Sequence, residues 1–319
     1  MRITHYISLG ALLCFLSACE KESEITEDFS SMELEAKAPV FKTLKNNSFP
    51  ISGAEISDFG KISEHEDLEL AIYSAEYITS GEDEHVGNTV FFVDTGNKQL
   101  GADFVPGYSL DGTSDISYYI DSNRASVDLD VSVTTAAIGR AMNTWKDITC
   151  SEIGLNEIPY DGRPTGLYAQ FLGFGGSGAY VADVVHAGWL PGEFFDFLAQ
   201  DGSQFILGVT FTLVFTSGGV PTDLDNNGKA DAAFREIYYN DAFSWNDGGT
   251  YDVETIALHE AGHGLSQGHF GKAFRTVSNG KLHFSPRAVM NAAYSGVQTD
   301  ILKTDNAGHC SNWSSWPNN

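Results

Sequence analysis

Basic residues are scarce in this chain of 319 residues. It carries 18 lysines and arginines against 43 aspartates and glutamates, which gives a formal net charge of −25 at pH 7. A strongly acidic surface repels nucleic-acid phosphates and anionic lipid headgroups. We therefore expect the folded body to bind neither nucleic acid nor a membrane surface.

Cysteine is also rare, with four in the chain. Cys14 precedes Cys19, and Leu16-Ser17-Ala18-Cys19 ends a short apolar run that follows the basic Arg2. That run is too short to span a bilayer as a helix, and its end resembles a bacterial lipobox. The resemblance implies a signal peptide over residues 1–18 and a lipid anchor on Cys19, with the body tethered to the cell envelope on its periplasmic or outer face. A plain secretory signal is the alternative, and it predicts a secreted protein.

Once the signal peptide is removed and Cys19 is lipidated, Cys150 and Cys310 remain. An isolated pair in an exported protein is consistent with one disulfide that ties the tail of the domain to its body. Two unpaired buried thiols are the alternative, because free cysteine also behaves as a small core residue.

One short segment carries most of the chemistry. His259 and His263 are four residues apart, so they lie one turn apart on the same side of a helix and can bind one metal ion. Glu260 stands beside them to polarise a metal-bound water. His269 makes a third protein ligand and leaves a fourth position open, which is typical of a catalytic zinc site. Met290, one of four methionines, follows shortly downstream.

These residues together resemble the metzincin zinc metalloproteases, and the matrixin-like branch most closely, over residues 107–319. The resemblance implies an α+β domain with a mixed sheet, an active-site helix and a methionine-containing turn beneath the metal. It implies a zinc-dependent endopeptidase for extracytoplasmic polypeptides, with Glu260 as general base on a zinc-bound water and Met290 as a structural floor. The zinc ligands implied by the resemblance are His259, His263 and His269.

The chain departs from the family pattern at two places. The eighth position of the long motif is usually glycine and is Ser266 here, with glycines at 264 and 268 instead. Tyr294 lies four residues after Met290 and not two, so we do not expect a tyrosine ligand. His186 and His283 lie outside the motif and are interpreted as structural or rim-forming, and not as metal ligands.

A second metal site is predicted in a loop that resembles the start of a calcium-binding loop. Its oxygen-bearing side chains fall at positions one, three, five and nine: Asp223, Asp225, Asn227 and Asp231. Gly228 at position six permits a sharp turn. The glutamate expected at position twelve is replaced by Phe234, and Glu236 only approximates the place. A polar turn without a metal is the alternative, since these residues favour turns anyway.

The residues that precede the predicted catalytic domain fall into two segments of different composition. Residues 19–37 are acidic with few large apolar residues, which is typical of a solvated tether. Residues 38–106 contain apolar patches bounded by turn residues and predict an accessory region or a pro-segment. Three acidic side chains of this region could rest on the zinc and keep the site inactive: Asp83, Glu84 and Asp94.

Periodicity predicts the main elements of residues 107–319. Ile116–Ile120 and Ile206–Phe215 have the character of strands, and apolar residues at helical spacing predict a helix over Val133–Ile148. The zinc helix is predicted over Asp252–Ser266, with Asp252 as its N-cap. A compact domain of this size is expected to be a monomer.

Two other functions are compatible with the motif. One is a zinc hydrolase for a non-peptide amide, such as an amide of the cell wall, although the three-histidine motif and Met290 favour a peptidase. The other is a calcium-dependent surface binding module whose zinc site is vestigial. The intact Glu260 argues against that reading, because an inactive site has no chemical need for it.

Overall fold

The computed structural model describes residues 31–53, 61–62, 65, 67–93 and 101–318. The predicted signal peptide, Cys19, most of the acidic tether and Asp94 lie outside these residues. Within them, no helix has the length and apolar character needed to cross a membrane.

Strands outnumber helices in the described part of the chain. The helices are α1 (Val131–Lys146), α2 (Leu167–Leu172), α3 (Val253–Gly264) and α4 (Lys303–Trp313), with two short 3-10 turns at Gly192–Phe197 and Gly202–Gln204. The strands are β1 (Ser31–Leu34), β2 (Val40–Phe41), β3 (Phe49–Pro50), β4 (Ser52–Gly53), β5 (Leu68–Thr79), β6 (Thr89–Phe91), β7 (Ala102–Phe104), β8 (Ile116–Ile120), β9 (Leu155–Glu157), β10 (Ala179–Tyr180), β11 (Val184–Leu190), β12 (Ile206–Ser217), β13 (Val220–Pro221), β14 (Ala230–Asn240), β15 (Lys272–Thr276) and β16 (Leu282–Ser285).

One large mixed sheet forms the centre of the molecule. Its strands follow the order β2-β6-β5-β12-β14-β11-β8-β9, with β3, β7 and β13 paired beside this path. The strands β14, β11, β8 and β9 run parallel to one another, whereas β12 is antiparallel to both β14 and β5. Nearly every residue of β12 is buried, which is typical of a strand covered on both faces. The α+β class with a mixed sheet, predicted from the sequence, is confirmed.

Strands from residues 38–106 belong to this same sheet. The longest of them, β5, pairs with β12 from Leu68 opposite Ser217 to Thr79 opposite Ile206. Its residues Leu70, Ile72 and Ala75 are fully buried in the main core. The described strands of residues 38–106 therefore pack into the same hydrophobic core as strands of residues 107–319, and the sequence boundary at 107 does not separate two sheets.

The two long helices pack against each other on one side of the sheet. Apolar residues of α1, including Ala141 and Trp145, are fully buried, and the Trp145 indole donates a hydrogen bond of 2.8 Å to the Leu258 carbonyl oxygen of α3. Asp252 is the N-cap of α3, where its carboxylate accepts a hydrogen bond of 2.8 Å from the Thr255 amide, as predicted. Both helices therefore hold fixed positions relative to the sheet.

The C-terminal helix α4 returns to the body of the domain. A disulfide joins Cys150, shortly after α1, to Cys310 in α4, with the two Cα atoms 5.7 Å apart. Trp313 of α4 is buried, and its indole donates to the Leu265 carbonyl oxygen at 2.9 Å. The tail is thus tied covalently and by packing to the end of α3.

Candidate metal centre

Three imidazoles meet at the C-terminal half of α3. His259 and His263 lie one turn apart on the helix, and His269 follows after the chain has turned back. The Nε2 atom of His263 lies 3.1 Å from Nε2 of His259 and 3.2 Å from Nε2 of His269. The three side chains are grouped closely enough to ligate one metal ion. The structure therefore brings together the three histidines predicted as ligands.

The other ring nitrogens fix the orientation of the imidazoles. Nδ1 of His259 lies 2.8 Å from the Val289 carbonyl oxygen, and Nδ1 of His263 lies 2.7 Å from that of Gln267. A carbonyl oxygen only accepts, so each Nδ1 carries the proton and each Nε2 presents a lone pair. Burial lowers the pKa of His263 to about 4 and that of His259 well below its usual range. Lone pairs of neutral imidazoles repel one another unless a cation lies between them, so this donor set fits a metal such as zinc.

The chain reverses at Ser266, the eighth position of the histidine motif. Ser266 has a φ of +63°, in the left-handed region, so the break falls on the serine itself. Arg235 donates to the Ser266 hydroxyl at 3.0 Å and to the Gly264 carbonyl oxygen at 3.1 Å. Asn312 of α4 donates to the Ser266 carbonyl oxygen at 2.8 Å. These contacts stabilise a turn that costs a non-glycine residue about 1–2 kcal/mol.

Met290 packs directly against α3. A Cβ atom added to Gly262 would lie only 2.3 Å from the Met290 sulfur, so the side chain fits because that helix position is glycine. The turn is held by Asp305 of α4, whose carboxylate accepts from the amides of Val289 at 2.9 Å and Met290 at 3.1 Å. Asp305 carries no local sequence signal, since only the fold brings it to a turn 15 residues earlier.

Glu260 is fully buried beside the histidines. Its Oε2 accepts a hydrogen bond of 2.6 Å from the Thr210 hydroxyl on β12. Its Oε1 has no hydrogen-bond partner among the residues that the structure describes. Burial raises the pKa of the Glu260 carboxyl well above its usual range. A buried carboxyl with one free oxygen is suited to proton transfer, and Thr210 is a contact that sequence reasoning missed.

A hairpin from the N-terminal region covers this site. We call residues 68–91 the covering hairpin; it contains β5, the tip at residues 80–88, and β6. The Thr79 carbonyl oxygen accepts from the Tyr294 amide at 2.8 Å, and the Gly87 amide donates to the Ala292 carbonyl oxygen at 2.6 Å. A Cβ on Gly87 would lie 2.9 Å from Cε1 of His269. The hairpin therefore bridges β12 and the chain that follows Met290, above the histidines.

The acidic residues predicted to rest on the zinc do not do so within the described part of the chain. Asp83 and Glu84 are exposed at the hairpin tip, where the Asp83 carboxylate lies 2.8 Å from Nδ1 of His85. The hairpin instead places Glu76 of β5 next to the site, with Oε2 3.6 Å from Nδ1 of His263. That nitrogen points away from the common centre of the three histidines. Glu76 therefore contacts the His263 ring and not the position that a metal ion would take between the Nε2 atoms.

The predicted calcium loop brings its three aspartates together. Carboxylate oxygens of Asp223, Asp225 and Asp231 lie close enough to hold one ion. Gly228 has a φ of +84°, which permits the sharp turn. Burial raises the pKa of Asp231 to about 6. A cluster of carboxylates with one buried member is the donor type that calcium prefers.

Two other residues considered for the calcium site make hydrogen bonds of their own. The Asn227 side-chain oxygen accepts from the Lys229 amide at 2.9 Å and keeps a second lone pair, so Asn227 stays a predicted ligand. Glu236, the approximate twelfth position, lies elsewhere: its carboxylate accepts from the Leu167 and Tyr168 amides at the start of α2. Glu236 therefore caps a helix and belongs to the core.

The remaining histidines singled out in the sequence have other surroundings. His186 is buried on β11, with Nδ1 2.8 Å from the Tyr239 hydroxyl and Nε2 3.3 Å from the Met142 sulfur. His283 stacks on Phe274 with ring centroids 5.7 Å apart. Neither belongs to the group formed by His259, His263 and His269.

No protein-family model matches this chain, and a search of curated proteins found no similar sequence. The assignment of a function therefore depends on the geometry of the candidate metal centre and on the motif that forms it.

Proposed function

We propose that this protein is a zinc-dependent endopeptidase of the metzincin type that hydrolyses extracytoplasmic polypeptides. One observation carries the proposal: Nε2 of His263 lies 3.1 Å from Nε2 of His259 and 3.2 Å from Nε2 of His269, with Glu260 next to them on α3. The mixed sheet, the helix and the buried Met290 beneath it support the same assignment, since the resemblance implied each of them.

His259, His263 and His269 would hold the zinc ion. When bound, zinc supplies Lewis-acid chemistry: it lowers the pKa of a water molecule and polarises the scissile carbonyl. The Nδ1 contacts to backbone carbonyls fix the rings and increase their basicity, as expected for metal-binding imidazoles. Met290 and Asp305 keep the chain beneath the ligands in place.

Glu260 would transfer the proton. As a carboxylate, Glu260 would take a proton from the attacking water on Oε1 and pass it to the leaving amine, so the carboxylate is restored after each cycle. The engaged Oε2 stays on Thr210.

The substrate would bind as an extended strand along β12. The end of β5 now occupies that edge, with Ile78 opposite Gly208 and Thr79 in a parallel bridge with Ala293. Backbone groups on both sides of the site are therefore disposed to pair with a peptide strand. Because β5 fills this position and Glu260 is inaccessible beneath it, we expect the folded chain to be latent until the end of the hairpin moves.

Arg275→Ala is expected to raise peptidase activity about tenfold. Arg275 on β15 anchors the hairpin tip, because it donates to the Gly81 carbonyl oxygen at 2.9 Å and to that of Asp83 at 2.5 Å. Losing about 1.4 kcal/mol of this anchoring increases the open population tenfold. The measurement is kcat/KM on one fluorogenic peptide.

Arg163→Ala, which removes an exposed ion pair with Asp161, is the matched control and should leave kcat/KM unchanged. Equal activity of both variants and wild type would contradict a closing role for the tip.

Calcium is proposed as a second, structural ion at Asp223, Asp225 and Asp231. A calcium-selective chelator should lower the thermal midpoint by about 5 °C, because an ion bound only to the folded state adds about 2–3 kcal/mol at saturating concentration. The check is a melting curve with and without chelator. In the Asp223→Asn/Asp225→Asn variant the chelator should have no effect, and an unchanged midpoint in wild type would remove calcium from the proposal.

The location in the cell envelope stays a prediction. The lipid anchor would be carried by Cys19, which lies outside the described residues, and the acidic tether would separate the domain from the membrane. A monomer is proposed as the active species.

The direct test of the function is digestion of a mixed peptide library by soluble residues 20–319 with zinc and calcium, together with a panel of cell-wall amides. Chelator-sensitive cleavage of peptides alone supports the endopeptidase. Cleavage of the amides alone would assign a non-peptide amide hydrolase. No cleavage of either by wild type or by Arg275→Ala would favour the binding module with a vestigial zinc site.

A further inference from the structure

We propose that Gly208 and Thr210 of β12 hold the Glu260 carboxyl group in one orientation, in which Oε1 is the oxygen that exchanges the proton. We call this pair of residues the Glu260 seat. The inference rests on the proposed function, because it names how this chain positions the base of that reaction. Both residues are positioning residues, since they act through Glu260.

Thr210 provides the polar half of the seat. Its side chain is 1 % exposed, and its hydroxyl oxygen lies 2.6 Å from Oε2 of Glu260 and 2.9 Å from the Glu260 carbonyl oxygen. A hydroxyl has one proton to donate, and the shorter distance is typical of donation to a carboxylate. The Thr210 hydroxyl therefore binds Oε2 and fixes the rotation of the carboxyl group.

Gly208 provides the space for the other oxygen. It lies two residues before Thr210, so both positions face the same side of the strand. A Cβ atom on Gly208 would lie 3.1 Å from both Cγ and Oε1 of Glu260. A larger residue would press on Oε1 and rotate the carboxyl away from its contact with Thr210.

The two contacts give the two oxygens of the carboxyl group different surroundings. Oε2 is held by a strong hydrogen bond, whereas Oε1 is buried and finds no partner in the parts of the chain that the structure describes. An unpartnered buried carboxylate oxygen is unfavourable for folding alone. It is useful where a reacting group occupies the position during catalysis, so we assign proton exchange to Oε1.

The first experiment compares Thr210→Val and Thr210→Ser in peptide cleavage. The valine variant keeps the shape and loses the hydroxyl, so we expect kcat to fall about 10- to 100-fold while KM changes less than about threefold. Serine restores the hydroxyl and should recover most of the lost kcat. The matched control is Thr216→Val on the same strand, which removes a buried hydroxyl with no hydrogen-bond partner among the described residues and should leave kcat as it is. A wild-type kcat in Thr210→Val, or equal losses in the serine and valine variants, would overturn the seat.

A second measurement does not depend on activity. Urea midpoints are compared for the full chain as purified, for Thr210→Val, for Glu260→Ala and for the double variant. If the hydroxyl acts through Glu260, Thr210→Val shifts the midpoint at least twice as far in wild type as in Glu260→Ala. Equal shifts would overturn the inference. If wild type cleaves no peptide, the proposed function fails, whereas this comparison still decides whether the seat exists.

Discussion

Glu260→Gln should reduce kcat for peptide cleavage by at least about 10³-fold, which is within the range for loss of a positioned general base. The amide keeps the size of the side chain and can accept a hydrogen bond from Thr210, but it cannot take a proton from water. His259 and His263 do not depend on Glu260 for their orientation, because their Nδ1 atoms contact the carbonyl oxygens of Val289 and Gln267. Zinc content should therefore stay at that of wild type.

The measurement pairs initial rates with metal analysis of the same samples. Glu193→Gln is a suitable control, since it removes a carboxylate from an exposed position of a 3-10 turn. Wild-type activity in Glu260→Gln would show that another group transfers the proton. Loss of zinc together with activity would show that Glu260 supports the metal site and would leave its role as base without evidence.

Removing the disulfide should produce the largest change in stability. Cys150 and Cys310 are separated by 160 positions, and a cross-link over a long loop strongly restricts the unfolded chain. The Cys150→Ser/Cys310→Ser variant should therefore lose about 2 to 5 kcal/mol of unfolding free energy. The helix α4 also carries Asp305 to the turn at Met290, so weaker attachment of α4 should lower zinc affinity as well.

Urea unfolding under oxidising conditions measures the loss, with a reductant as a second arm. Reductant should shift the midpoint of wild type towards that of the double variant and leave the variant itself unchanged. A variant with the wild-type midpoint would mean that packing of Trp313 and the hydrogen bond to Leu265 hold α4 without the cross-link.

Elements with strong local patterns were predictable from the sequence. The zinc helix, predicted over Asp252–Ser266, forms at Val253–Gly264 with Asp252 as its N-cap. The helix predicted over Val133–Ile148 is observed two residues earlier, at Val131–Lys146. The apolar spacing of α1 and the N-cap of α3 are local signals that lie within or next to each element, so tertiary context changes only the ends.

Contacts between distant segments could not be predicted. Thr210 reaches Glu260 across 50 positions, and Asp305 reaches the Met290 turn from a separate helix. The covering hairpin depends on pairing between β5 and β12, which are about 140 residues apart. Such pairings depend on strand register and sheet order, and a threonine or aspartate carries no local signal of them. The grouping of the three histidines was predictable because all three lie within one short segment.

The most direct test of the central claim is the metal content of purified protein, measured beside the His263→Ala variant. One zinc ion per chain in wild type, bound by three imidazole nitrogens at about 2.0–2.1 Å in X-ray absorption and lost from the variant, is the predicted result. Wild type without zinc after exposure to it, or equal zinc in both proteins, would contradict a metal centre at His259, His263 and His269.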